Sequence, residues 1–254
     1  MLTLTKNIIK EIRSLEQRKG RREQQAWLVE GNKSVGDLLQ ARTFHCRRLV
    51  ATAEWWQHHS DAQADECFLA SRADMERTSL LPSPQDVLAV FALPNEVAPD
   101  AAIDNLIIAL DEVQDPGNLG TIIRTADWFG IHHIICTPGT ADCFAPKVVQ
   151  ATMSALARVH VHYFESRSAM ATWMKSTQHP IYGTFLEGEN IYTTSLTSNG
   201  ILLMGNEGRG ISPDLAPYVT HKLLIPDFSP NGQHVESLNV SVATAICISE
   251  IRRR

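Results

Sequence analysis

LIIALDEVQDPGNLGTIIRTADWFG (106–130) runs five apolar residues into a turn of Asp115, Pro116 and Gly117, and helical spacing of Leu119, Ile122, Ile123 and Ala126 follows. A strand therefore feeds a polar turn that opens a helix. Two further segments have the same grammar, ILLMGNEGRGIS (201–212) and IPDFSPNGQHVESLNVSVATAICISEI (225–251). In the second of these, Ser237-Leu238-Asn239-Val240-Ser241 sets hydroxyl and amide groups before a run of valine and alanine, which reads as a helix N-terminus with unpaired backbone N–H groups able to hold a ligand. Three such units downstream of residue 105 predict one site built from loops at the ends of parallel strands.

Outward from these units, six apolar runs are expected strands: 106–110, 133–137, 158–164, 181–186, 201–205 and 222–226. Several are almost wholly apolar, as when helices cover both faces of a parallel sheet. Helical stretches separate them: LGTIIRTADWFG, PKVVQATMSALA, RSAMATWMKS and the final NVSVATAICISEIRR. The expected fold class is α/β, an open, mostly parallel sheet flanked by helices, with ligands outside the carboxyl ends of the strands.

Upstream, LPNEVAPDAAID (93–104) breaks the periodicity with two prolines and three acids. The expected division is a small α/β domain at 1–96, a linker at 97–104 and a larger domain at 105–254. Within the first, KNIIKEIRSLEQRKGRR reads as one helix, with Ile8, Ile9, Ile12 and Leu15 on a face. AWLVEG, RRLVAT, ECFLA and the end of SPQDVLAVFAL read as strands, and NKSVGDLLQ as a helix. WWQHHSDAQADE (55–66) reads as a wet connection or a binding loop.

At 254 residues, 44% hydrophobic and 20% charged, the chain has material for one large or two modest cores. No run approaches the ~18–20 apolar residues of a membrane span, and the N-terminus lacks a signal-peptide apolar region, so a cytoplasmic protein is expected. The five cysteines form no C-x-x-C pair and point to neither a zinc site nor a disulfide framework. Net charge is −5, yet the first 50 residues hold eleven Lys/Arg against five Asp/Glu. That local excess is either a phosphate-tracking patch or a solvated helix face.

Asn118 stands where a helix cap is wanted, whereas Arg124, between Ile123 and Ala126, must find a partner or water. Gly205-Asn206-Glu207-Gly208-Arg209-Gly210 is neither a Walker A loop nor the G-x-G-x-x-G fingerprint, but its glycines allow close backbone approach to a flat ligand. Ser237 or Asn239 can cap the last helix.

Taken together, NLGTIIRTADWFG, LLMGNEGRGIS and IP…ESLNVSVA resemble, in order and spacing, the three motifs of the SpoU (TrmH-like) RNA ribose 2′-O-methyltransferases of the SPOUT superfamily. The resemblance spans 104–254. More loosely, residues 6–96 are similar to the family's N-terminal substrate-binding module, an α/β domain like that of certain ribosomal proteins. The resemblance implies methyl transfer from S-adenosylmethionine to a ribose 2′-hydroxyl of structured RNA, ribosomal RNA ahead of transfer RNA. It also implies a homodimer through the C-terminal domain, a deep trefoil knot in that domain, and no metal or membrane. By position it makes Arg124, Asn118, Glu207, Ser237 and Asn239 the catalytic set. The implied cofactor site comprises Thr184, Met204, Gly205, Asn206, Gly208, Ile225, Pro226 and Leu238.

Two departures stand out. Gln150 and Ser154 occupy positions where the family usually has Arg and Gly, and the link Asp227–Val235 is longer than the usual Gly-rich one, with an Asn231-Gly232 turn that is either a lid or an inert insertion. Two other classes compete with the enzyme: a non-catalytic RNA-binding protein on the same scaffold and a generic nucleotide-binding α/β enzyme. All five catalytic-set residues are present, which weighs against the first. The missing phosphate-loop fingerprints weigh against the second.

Overall fold

The structure, a computed structural model, describes residues 1–95, 97–101, 105–229 and 236–253. In chain order the elements begin with β1 (Leu2–Thr3), α1 (Lys6–Ser14), α2 (Arg18–Gln24), β2 (Ala26–Glu30), α3 (Asn32–Ala41), β3 (Cys46–Ala51), α4 (Ala53–His58), β4 (Glu66–Leu69), α5 (Arg72–Thr78) and β5 (Val87–Ala92). Next come β6 (Leu106–Leu110), α6 (Pro116–Trp128), β7 (His133–Cys136), α7 (Pro146–Thr152), β8 (His160–Tyr163), α8 (Arg167–Ser176), β9 (Ile181–Asn190), β10 (Gly200–Met204), β11 (His221–Leu224) and α9 (Val240–Arg253). They divide into two compact units, Met1–Asn95 with Asp142–Arg158, and Glu96–Ala141 with Val159–Arg254.

The first unit carries a five-stranded mixed sheet, ordered β1-β4-β3-β5-β2, in which β5 runs antiparallel to β3 and β2. Its core joins Ile12 and Leu15 to Leu28, Val50, Phe68, Met75 and Leu88. The single helix expected at its start is two, because a Cβ on Gly20 would lie 2.1 Å from the Ser14 carbonyl oxygen; the chain turns back on itself where only glycine fits. The wet stretch is also corrected. Thr52 caps α4, and the indoles of Trp55 and Trp56 are 4% and 7% exposed, so polar composition concealed an inward-facing pair of rings.

Six strands make the second sheet, ordered β11-β9-β10-β6-β7-β8, and every pairing in it is parallel. All six apolar runs are strands, covered on one face by Met170, Met174 and Leu215 packed on Ile107, Ile135 and Leu203. Connections leave β6 toward β7 but leave its neighbour β10 toward β11, so the crevice between β6 and β10 is the topological switch point where such sheets bind ligands. β10 pairs with β9 only as far as Leu203 and Gly183. The ladder to β11 then jumps from Lys222↔Gly183 to Leu223↔Glu189, which leaves residues 184–188 outside it.

One segment departs from the expected division. Residues 142–158 fall with the first unit although they lie between β7 and β8 of the second. Arg21, 4% exposed, donates to Asp142 at 2.7 and 3.1 Å and to the carbonyls of Leu15 and Glu16, and Phe144 packs on Trp27 with ring centroids 4.9 Å apart. Gln150 donates to the Glu30 carbonyl, and Ser154 to Asp37 at 2.5 Å. Ser154 is left-handed at φ 70°, a conformation that suits glycine; its hydroxyl gains a carboxylate partner in return. The apolar pattern of Val148, Val149 and Leu156 announces burial without saying in which core.

Candidate active site

The loops after β6 and β10 meet at the switch point. Asp115, not Asn118, caps α6: its Oδ1 accepts the Asn118 N–H at 2.8 Å, with Pro116 at the first helical position. The Asn118 side chain is thereby left for other work. Its Nδ2 donates to Glu207 Oε1 at 3.0 Å, and its Oδ1 accepts from Asn239 Nδ2 at 2.9 Å. Asn239 caps α9, its Oδ1 accepting the Ser241 N–H at 2.9 Å and the Ser241 hydroxyl at 2.7 Å.

The orientation of both amides follows from this network. Because Asn239 Oδ1 faces two donors, its Nδ2 must donate to Asn118, and the remaining Asn118 Nδ2 then meets a carboxylate, which only accepts. Residues 89 and 121 positions apart are joined side chain to side chain, one from each strand-to-turn unit.

Arg124 lies six residues beyond Asn118, about 9 Å along the helix axis, and is exposed without a hydrogen bond or ion pair to any described residue. Trp128, one turn further, is 86% exposed. Ser237 is exposed two residues before the Asn239 cap.

The loop after β10 is a closed hairpin. Asn206 and Gly210 exchange backbone hydrogen bonds at 3.0 and 2.9 Å, and Asn206 Oδ1 accepts from the N–H groups of Gly208 and Arg209. A Cβ on Gly205 would sit 2.2 Å from the Gly210 carbonyl carbon, so this glycine serves contact with its own loop rather than with a flat ligand. A Cβ on Gly208 would meet only Asn206 Oδ1, at 3.8 Å.

β11, β9 and β10 are neighbours, so Ile225 and Pro226, Thr184, and Met204 and Gly205 follow one another across the carboxyl end of the sheet. Gly205 is buried, and its N–H finds no acceptor among the described residues. The half-buried Thr184 hydroxyl has only the Met204 sulfur, at 3.8 Å, among the described residues. The buried Gly205 N–H calls for a ligand or water. The donor set is main-chain N–H, one hydroxyl and apolar side chains, which suits a neutral heteroaromatic ring and not a cation; among the described residues no group of three His, Cys, Asp or Glu could hold a metal. Leu238 is 48% exposed beside the α9 cap. The Asn231-Gly232 turn lies outside the described residues.

Two cavities lie behind the hairpin. One of about 190 Å³ is lined by Asp111, Glu112, Arg167, Asn206, Arg209 and Ser212 among others, and one of about 700 Å³ runs along α8 past Glu165, Thr172 and Lys175. Neither touches Asn118, Arg124 or Asn239, so hydrogen bonds rather than cavity size locate the site. Sequence reasoning read Asp115 as the start of a turn and not as the cap, read Ser241 as a small polar residue opening the last helix, and did not single out Glu112. An Asp directly before a proline, three residues ahead of Asn118, was the available signal for the first.

A parallel sheet whose switch-point loops are cross-linked by side-chain amides, beside one buried main-chain donor without an acceptor among the described residues, defines a small-molecule-dependent α/β enzyme of the carboxyl-end type. The profile of the SpoU rRNA Methylase family matches residues 105–249, and that of the MRM3-like substrate binding domain matches 6–89. The chain belongs to the SpoU rRNA methylase family. It is 30% identical over 249 residues to the 23S rRNA (guanosine(2553)-2′-O)-methyltransferase RlmP of Bacillus subtilis, covering 96% of this chain and 95% of the relative. Among solved structures it resembles a putative RNA methyltransferase of the TrmH family from Porphyromonas gingivalis, with TM-score 0.89, 44% identity and 98% of each chain covered. An AdoMet-bound rRNA methyltransferase from Sinorhizobium meliloti superposes with TM-score 0.86 at 29% identity, covering 99% of this chain and 97% of that one.

Proposed function

We propose that this protein is an S-adenosylmethionine-dependent methyltransferase acting on a ribose 2′-hydroxyl of RNA, with ribosomal RNA as the substrate class. The observation that carries the reading is the Glu207–Asn118–Asn239 chain, which holds three loops in register on the helix that bears Arg124, exposed and without a partner among the described residues. The 23S rRNA named for the Bacillus subtilis relative, aligned over nearly the whole chain, favours ribosomal over transfer RNA. A non-catalytic scaffold would not require this network.

The cofactor supplies an electrophilic methyl group on a sulfonium. The N–H of Gly205, the main chain at Ile225 and Leu238, the Thr184 hydroxyl and the apolar sides of Met204 and Pro226 would hold its adenosine part, with Asn206 and Gly208 shaping the rim. In-line displacement needs an aligned hydroxyl oxygen, and alignment supplies much of the rate. Arg124 cannot act as a base, since a guanidinium stays protonated in proteins. It pairs instead with a phosphate beside the target ribose and stabilises the negative charge that develops on the 2′-oxygen as the hydroxyl proton is released to water at this exposed position. Asn118 and Asn239 set the distance between α6 and α9, Glu207 orients Asn118, and Ser237 contacts the ribose.

Residues 1–96 form the RNA substrate-binding domain in this reading, and the C-terminal domain contains the deep trefoil knot and the homodimer contact. Support for a subunit face comes from Trp128, one turn from Arg124 on α6, and from Val242 on α9, 48% exposed. A cytoplasmic protein fits this reading, supported by the bacterial 23S rRNA methyltransferase among its relatives; separately, no helix among the described residues is long and apolar enough to cross a membrane.

Calorimetric titration with S-adenosylmethionine tests the reading first: a wild-type protein that takes up none ends it. Single-turnover methyl transfer should then fall about 10²–10³-fold in Arg124→Ala, the scale of a lost charge-stabilising group, with cofactor affinity unchanged. Arg124→Lys should retain measurable transfer. If it retains none while binding both RNA and cofactor, charge stabilisation alone is insufficient.

A further inference from the structure

We infer that Glu112, which no motif singles out, is a positioning residue: it moors the Asn206–Gly210 hairpin, and so sets both Glu207 and the Gly205 N–H in place. The inference rests on the proposed cofactor site, though its structural half can be tested without cofactor.

Glu112 is the second residue after β6 and holds the hairpin by two separate links, with a third to Arg167 at the start of α8. Its carbonyl accepts from Asn206 Nδ2 at 2.8 Å, and its carboxylate pairs with Arg209 on one oxygen and Arg167 on the other. Arg167 is held in turn by Asp111 at 3.1 Å. Thus the hairpin is tied near its start by Asn206 and toward its end by Arg209, with Glu207 between them pointing to Asn118.

Backbone geometry shows that residue 112 is not there for the turn alone. Its φ is +56°, the left-handed region in which a side chain is strained and glycine is not. A glycine would make the turn at lower energy. The side chain is nevertheless seated, 17% exposed, against Gly139, whose absent Cβ would otherwise lie 3.2 Å from Glu112 Cγ. Two positions are therefore shaped around this carboxylate, one by accepting strain and one by lacking a side chain. Coulomb attraction to two guanidinium groups and the geometric fit of a bridging carboxylate oppose that strain.

Glu112→Gly separates the two roles, because it relaxes the backbone and removes the carboxylate link to Arg209 while keeping the carbonyl link to Asn206. In cofactor-free protein, exchange of the Asn206 and Gly210 amide protons should quicken about tenfold as the local opening free energy falls, while Tm holds or rises. Affinity for S-adenosylmethionine should weaken about fivefold by calorimetry, as expected when the binding-competent loop is less populated. Arg209→Gln should move both readouts the same way, and the double variant should be no worse than the poorer single, since both remove one link. Wild-type exchange at Asn206 and Gly210 in Glu112→Gly, or additive losses in the double variant, would overturn the assignment. If wild-type protein fails to bind S-adenosylmethionine, the proposed function falls while the exchange comparison still decides the mooring.

Discussion

Two polar networks of similar make-up sit in different surroundings. In the first unit, Arg21 and Asp142 are joined beneath α1 and α2, and Glu30, 5% exposed, accepts from Ser79 and from the Leu80 N–H at 2.9 Å. In the second, Glu207, Asn118 and Asn239 are joined at the surface, all three exposed or half-buried. A buried polar group left without its partner loses its full solvation, whereas an exposed one turns to water at little cost. The two buried clusters of the first unit are therefore a condition of folding, and in the proposed function the surface network serves to position α6 and α9. This difference can be broken or sharpened by removing one member from each.

The largest effect is expected at Arg21. Arg21→Ala removes a guanidinium, 4% exposed, that satisfies Asp142 and two main-chain carbonyls, and should cost about 3 kcal/mol of stability, the low end for a broken buried pair because Asp142 keeps some access to water. Urea unfolding followed by tryptophan fluorescence measures it. A loss below about 1 kcal/mol would mean that the pair behaves like a surface ion pair, and the contrast between the two networks would vanish.

Asn118→Ala should show the opposite profile. Its stability cost should stay within the ~0.5 kcal/mol typical of exposed sites, since Asp115 and not Asn118 caps α6. Single-turnover methyl transfer should drop about a hundredfold, the scale of a misalignment near 1 Å. A fall in rate that merely tracks a fall in Tm would assign the residue to folding instead.

Much of this arrangement was legible beforehand, for reasons that differ by region. The central strands β6 and β10 are apolar and buried along their whole length, so LIIAL and ILLMG announce themselves without any help from neighbours. Asn118, Glu207 and Asn239 were readable as a set through the resemblance, and of their wiring only the orienting of Asn118 by Glu207 was. Which of Asp115 and Asn118 caps α6 depends on a one-turn difference that residue type alone does not resolve, because both side chains can cap. The break between α1 and α2 depends on Gly20 meeting Ser14, and α4 hides because two buried tryptophans are embedded in a polar string. Residues 142–158 were the hardest, since helix α7 reads as amphipathic wherever it docks. Contacts with residues more than a hundred positions upstream, Arg21 and Trp27 among them, reveal its core.

Glu30 offers the finest test of the contrast, because burial there acts on a titrating group. Loss of water raises its carboxyl above the ordinary 4.5, outweighing the hydrogen bonds from Ser79 and Leu80 and the nearby Arg13 charge, all of which pull it down. The folded chain then keeps the proton at pH values where the unfolded chain has released it. This contribution to stability is complete below about pH 4.5 and is lost as pH rises through the folded value. Glu30→Gln has nearly the same shape and no charge to bury, so wild type should compare best with it at low pH and progressively worse as pH climbs. Urea midpoints for both proteins, taken in steps from pH 4 to pH 7, measure the difference directly. A difference that stays constant, or moves in wild type's favour with rising pH, would show that the hydrogen bonds from Ser79 and Leu80 dominate over burial, and that this carboxylate is no more costly to ionise than an exposed one.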